Sequence, residues 1–382
     1  MEVFRALGTL IEAPAAEHAR VAAALGLPAV PTAAEHARVV VQQRYPYASV
    51  YLGAEGMMGG EARDRIEGFR RALGLDLKGE PGRGVGTSAD HLASLLGLLA
   101  SMDEWRREES DSARRTLLAE ARVTLAWEHL GSWAGPYLAS FEECGVAFYE
   151  AWALLLRDSL ARLDREMAFP DYLPAALRAA PRLADPRREG GPAFIGALLA
   201  PARTGMILLR DDLLLLADET GLACRAGERR YVLNSFLAQD PRAALEWLAA
   251  HAEGWGGRVA SAGPPSITRW WSERAAETAG LLRELAADVQ NAPSGVQNAP
   301  VREQGTSSAV QNAAVDVHIA PSDVHNAAHG TLAHWALEGE LAVQDATIGV
   351  QNAASEVQDA PSDVQNAAPG APTPVSSSTD AQ

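Results

Sequence analysis

Leu92, Leu95, Leu96, Leu99 and Met102 recur at i, i+3, i+4, i+7 and i+10, which places them on one face of an α-helix. Phe148, Trp152, Leu155, Leu156, Leu160 and Leu163 repeat that spacing on a longer stretch. Nowhere does apolar and polar character alternate long enough to specify a sheet. Helix boundaries are written in the same segment. Pro31-Thr32 precedes "AAEHARVVVQQ", and Asp240-Pro241 supplies an N-cap and a first-turn proline for "RAALEWLAAHA". Gly221 stands at a helix end, with a new helix opening at about Glu228. Such segments, joined by short Pro/Gly connections, predict an all-α fold.

This character stops near Asp288. Beyond it a short unit recurs, as "VQNAP" at Val289 and Val296, "VQNAA" at Val310, Val350 and Val364, and "VHNAA" at Val324. The step is seven residues or a multiple of seven, broken only across "HGTLAHWALEGELA". One valine per unit among small, polar and proline residues makes no coiled-coil seam. Nor does it bury enough apolar surface to offset ordering the backbone, about 1–2 kcal/mol per residue. The sequence therefore divides into a helical body at 1–287 (core to about 166, extension 167–287) and a disordered repeat tail at 288–382. Of the formal charge of −16, the tail carries −10, with Arg302 its single basic residue. The body carries −6 and no basic stripe, a poor match to nucleic acid.

Cys144 and Cys224 form no C-x-x-C pair, and buried structural thiols in a reducing compartment are expected. No apolar run reaches membrane-span length, and "MEVFRALGTLIEAP" lacks the layout of an export signal, so the cytoplasm is expected. No cofactor or metal is expected. No histidine follows a glutamate at the spacing of a di-iron bundle, and His325 and His329 lie in the tail. The run Gly84–Ala89 spells G-x-G-x-x-A, the outline of a dinucleotide turn, but the polar "LDLKGEPGR" stands where a strand is required. It reads as a loop, which leaves nucleotide chemistry the least favoured class.

After that loop comes "TSADHLASLLGLLASM". Its local reading makes Ser88 the N-cap, Asp90 the N2 residue complementing the helix dipole, and His91 the N3 residue. This Asp-His pair opening an apolar helix resembles the TorD/DmsD/NarJ family of redox-enzyme maturation chaperones, whose pattern is like E-P-x-D-H-L. Ser88 stands where that family usually has proline, and Gly97 falls where an acidic residue is common. Tyr45–Leu75, Glu128–Leu156 with His129, Trp133, Phe148 and Tyr149, and Pro201–Ala252 resemble other parts of a long-form branch of that family. The likeness spans most of Met1–Leu285.

The resemblance implies a single all-helical, non-catalytic cytoplasmic chaperone domain. Its partner would be the catalytic subunit of a molybdenum-dependent oxidoreductase, engaged through its twin-arginine leader and its mature part. It leaves open whether the chain is a monomer or a helix-exchanged homodimer. A twin-arginine leader offers two cations and an apolar helix, so its receptor needs an apolar groove with carboxylates at the rim. Asp90 and His91 are the polar candidates; Tyr45, Tyr47, Tyr51, Trp133 and Phe148 are the aromatic ones, each also open to a core role. A helical adaptor without leader binding is the alternative function.

Overall fold

The computed structural model describes residues 2–74 and 88–291. Gly84, Gly86 and Thr87 of the glycine loop lie outside them, as do His325, His329 and the repeat tail from 292 onward. Among the described residues the regular structure is helical. The extended pairing is one antiparallel bridge, Tyr47 to His91. The all-α expectation holds.

The apolar stripes do what their spacing requires. Leu92, Leu95, Leu96, Leu99 and Met102 are buried on helix Leu92–Glu108. Helix Ala147–Glu166 buries Phe148, Trp152, Leu156 and Leu163 and leaves Leu155 and Leu160 at the core margin. The short helix Glu2–Thr9 packs against both of these helices. The end signals hold as well. Thr32 forms a capping box with Glu35, Asp240 accepts from the Ala243 N–H ahead of Pro241, and Gly221 closes helix Arg210–Thr220 in the left-handed conformation. The next helix starts at Arg229.

Two buried tryptophans tie helices together through indole N–H groups that would be costly to leave unpaired away from water. Trp152 donates to the Leu7 carbonyl at 3.0 Å, fixing the N-terminal helix. Trp271, on the last helix (Pro265–Asn291), donates to the Ser132 carbonyl at 3.0 Å. That bond joins the C-terminal helical hairpin, in which Pro241–Val259 packs along Pro265–Asn291, to helix Ser132–Ala139. The stretch between Ser112 and Ala139 is helical throughout, with a π-helical turn at Leu125–Gly131 that shifts the faces of its two halves.

Two glycines are required by close approach. A Cβ on Gly135 would lie 2.2 Å from the Ala262 carbonyl oxygen, so the turn after Val259 rests directly on helix Ser132–Ala139. Gly205 has φ of +74°, and a Cβ there would lie 2.3 Å from the Ala275 nitrogen. Gly205→Ala combines a left-handed alanine with overlap against backbone that has no room to yield. It should cost on the order of 3 kcal/mol or more, read as a lowered denaturant midpoint in chemical unfolding.

Candidate functional site

The chain from Tyr45 to Ser49 is extended until it enters the short helix Ala48–Leu52, and it runs antiparallel to Ala89–Leu92. Ala48 N–H donates to the Asp90 carbonyl at 2.9 Å, and Leu92 N–H donates to the Pro46 carbonyl at 2.8 Å. The second bond corrects the expected helix start. With Leu92 N–H spent on Pro46, the backbone stays extended through His91 (φ −69°, ψ 138°) and the helix begins at Leu92. The N-cap is therefore His91, whose Nδ1 accepts from Ala93 N–H at 3.2 Å. Ser88 and Asp90 lie outside the helix, and neither occupies the cap or first-turn place read for it from sequence.

Asp90 is wholly enclosed (0% exposed). One carboxylate oxygen accepts from Ser49 N–H at 3.2 Å and from the Ser49 hydroxyl at 2.5 Å; the other accepts from the Ser88 hydroxyl at 2.5 Å. Ser49 Oγ in turn accepts from Gly59 N–H at 2.9 Å. Asp90 is thus a clasp that gathers three chain segments, and it does not stand at an exposed rim. Hydrogen bonds to a buried carboxylate are strong because the acceptor is ionised, and deleting one strands donors in a dry site.

His91 is neutral in this setting. Because Nδ1 accepts, the ring proton sits on Nε2, and burial pushes the pKa down to about 4 against the opposing pull of Asp90. The Tyr47 ring meets the imidazole edge-on at a centroid distance of 4.9 Å. Burial, with Asp90 and Glu12 nearby, raises the Tyr47 phenol above its usual range.

The other aromatic candidates divide by depth. Tyr51, Trp133 and Phe148 are buried. Tyr51 stacks on Trp133 at 5.2 Å, and Tyr137 closes on both. These three serve the core here, whereas Tyr45 and Tyr47 stay half-buried at its edge. Cys144 is buried as expected, its thiol pushed up by burial, but Cys224 is exposed and makes no core contribution. Among the described residues no three potential ligands gather into a metal site.

Sequence reasoning missed Ser49 and Gly59, which carry no motif and matter only through Asp90. It also missed the loop that Gly59 closes, which presents Met57 and Met58 to solvent at 67% and 61% exposure.

Residues 13–139 match the family described as nitrate reductase delta subunit, the NarJ/TorD-type chaperones. The resemblance drawn from the sequence is thereby shown over this segment, which contains Tyr45–Ser49 and Asp90-His91. The family is one of redox-enzyme maturation chaperones and is non-catalytic. No curated protein and no solved structure matches the chain. No described helix is long and apolar enough to cross a membrane.

Two outcomes follow from the clasp. Asp90→Asn turns an amide N–H toward the donors of Ser49 or Ser88 and should cost about 1–3 kcal/mol in urea unfolding at pH 7. The second concerns acid. His91 and His129 are both held near pKa 4, by burial in each case and with Arg65 adding to it at His129. Their folded values lie below the unfolded value of about 6.5, so the unfolded chain takes up protons first. Stability is fully present above about pH 6.5 and declines toward pH 4, by about 1–2 kcal/mol per histidine at pH 5. His91→Asn, which keeps an acceptor for Ala93 N–H, should flatten the urea midpoint between pH 6.5 and 5 relative to the parent chain.

Proposed function

We propose that this protein is a cytoplasmic chaperone for maturation of a molybdenum-cofactor oxidoreductase. It binds the apoenzyme and its twin-arginine signal peptide, and it assists cofactor insertion before export. The observation that carries this reading is the family match across residues 13–139, which contains the Asp-His clasp and the aromatic segment packed on it.

In this reading the seven candidate residues act at two depths. Tyr45 and Tyr47 keep surface that a client can touch. Asp90, His91, Tyr51, Trp133 and Phe148 act from beneath, holding the shape of that surface and, through Ser49 and Gly59, the seat of the methionine loop. Unbranched, polarisable methionine side chains adapt to irregular apolar partners, which suits a receptor for an incompletely folded client.

Burial of Asp90 favours one competing reading, a helical adaptor that binds no leader, because an enclosed carboxylate offers no rim charge to an arginine pair. Affinity capture of the tagged full chain from its own cells separates chaperone from adaptor. Capture should recover an oxidoreductase subunit bearing a twin-arginine leader, and deletion of the gene should leave that enzyme short of cofactor. Unchanged activity and export of every molybdoenzyme after deletion would sink the chaperone reading.

A further inference from the structure

Away from the clasp, two depressions adjoin on the other side of helix Ser132–Ala139. The larger, about 360 Å³, lies between the π-helical turn, helix Ala147–Glu166 and the turn that rests on Gly135. Its walls are apolar, with Trp127, Leu160, Met167, Phe169 and Pro264 prominent, and Asp164 is its one carboxylate. The smaller, about 260 Å³, is bounded by Glu142, Glu143, Glu150 and the exposed Leu154. Leu138 and Arg157 line both, so the two form one trough with an apolar pit at one end and an acidic shelf at the other.

The charges on this trough are incompletely spent. Arg157 pairs with Glu142 at 2.9 Å, and Glu150 accepts from Gly145 N–H at 3.0 Å. Asp164 is half-buried and meets no hydrogen-bond donor among the described residues. Burial raises its pKa to about 6, with only the neighbouring Arg165 acting against it. Glu143 is exposed and has φ of 61°, the left-handed region where glycine rests without strain. A glutamate there costs the fold stability that a glycine would return, and its carboxylate has no hydrogen-bond or ion-pair partner among the described residues.

We propose that this trough is the binding site for a peptide segment in which basic residues precede an apolar run. The apolar side chains fill the pit walled by the stacked Trp127 and Phe169 rings, the cations lie along Glu142 and Glu143, and Asp164 meets the segment where it enters the pit. The match is one of charge and of the order in which charged and apolar surface follow each other. A single pit would take any apolar group, whereas a pit continuous with an acidic shelf selects a chain that changes from charged to apolar along its course. The proposal rests on the reading that the protein receives a client's leader, and it places that leader in the trough, away from the clasp.

The test is calorimetric titration of the full chain with a synthetic peptide of two arginines followed by ten leucines and alanines. A second peptide carries two glutamates in place of the arginines. The parent chain should bind the first and not the second. Asp164→Asn should weaken binding about tenfold, the loss of one charge-assisted contact. Glu143→Gly should weaken binding while raising Tm by a few degrees, a combination that a purely structural role for Glu143 does not produce. Leu214→Ala, an exposed position outside both the trough and the clasp, should bind as the parent does. Equal binding of the two peptides overturns the proposal. So does unchanged affinity in both trough variants, or absence of binding by the parent chain. Recovery of the oxidoreductase by capture is read separately, so the chaperone function can stand while the trough assignment falls.

Discussion

The carboxylate of Asp90 is the constraint on which the packing of Tyr45–Ser49 against the start of helix Leu92–Glu108 depends. Among the described residues no cation pairs with it, and hydrogen bonds offset its desolvation. Those bonds come from Ser49 and Ser88, and the Ser49 hydroxyl extends the chain of contacts to Gly59. Residues some forty positions apart in sequence are thereby held at one point, and the extended run of Tyr45–Tyr47 is set against the start of helix Leu92–Glu108. His91 adds a neutral ring that caps the helix and receives the Tyr47 edge. Loss of this arrangement would release the tyrosine edge and the methionine loop together.

Beneath the clasp, the aromatic core supplies rigidity. Tyr51, Trp133, Tyr137 and Phe141 follow one another at centroid distances of 5.2 to 5.4 Å. Trp152 continues the series from Phe141 and ends on the Leu7 carbonyl. Geometrically specific ring contacts and indole hydrogen bonds hold the helices in a single packing, where aliphatic contacts alone would tolerate several. The trough lies on the far side of the same helix, Ser132–Ala139, that carries Trp133 and Tyr137. The proposed trough is thus backed by this aromatic packing.

Much of the fold was legible because it rests on local rules. The leucine face of helix Leu92–Glu108, the Thr32 and Asp240 caps and the left-handed Gly221 each depend on a few neighbouring residues. The site was legible only in part. Asp90-His91 was singled out, but its geometry was misread, since a local rule makes Ser88 the cap. The Pro46 carbonyl, remote in sequence, takes the Leu92 N–H and moves the helix start. Ser49, Glu143 and Asp164 carried no pattern, because their significance lies in a partner, a backbone angle or a cavity.

By itself the sequence determined that the described chain is helical, where several helices begin and end, and that an Asp-His pair precedes an apolar helix. Periodicity and capping are properties of neighbouring residues, and they survive without tertiary context. Only the tertiary structure decided which carboxylates are spent inside and which are left at a surface. Asp90 is enclosed because the distant Ser49 and the neighbouring Ser88 supply donors that make its burial tolerable. Among the described residues Asp164 and Glu143 meet no donor, and that difference turns one acid into a clasp and leaves the others at the walls of a depression.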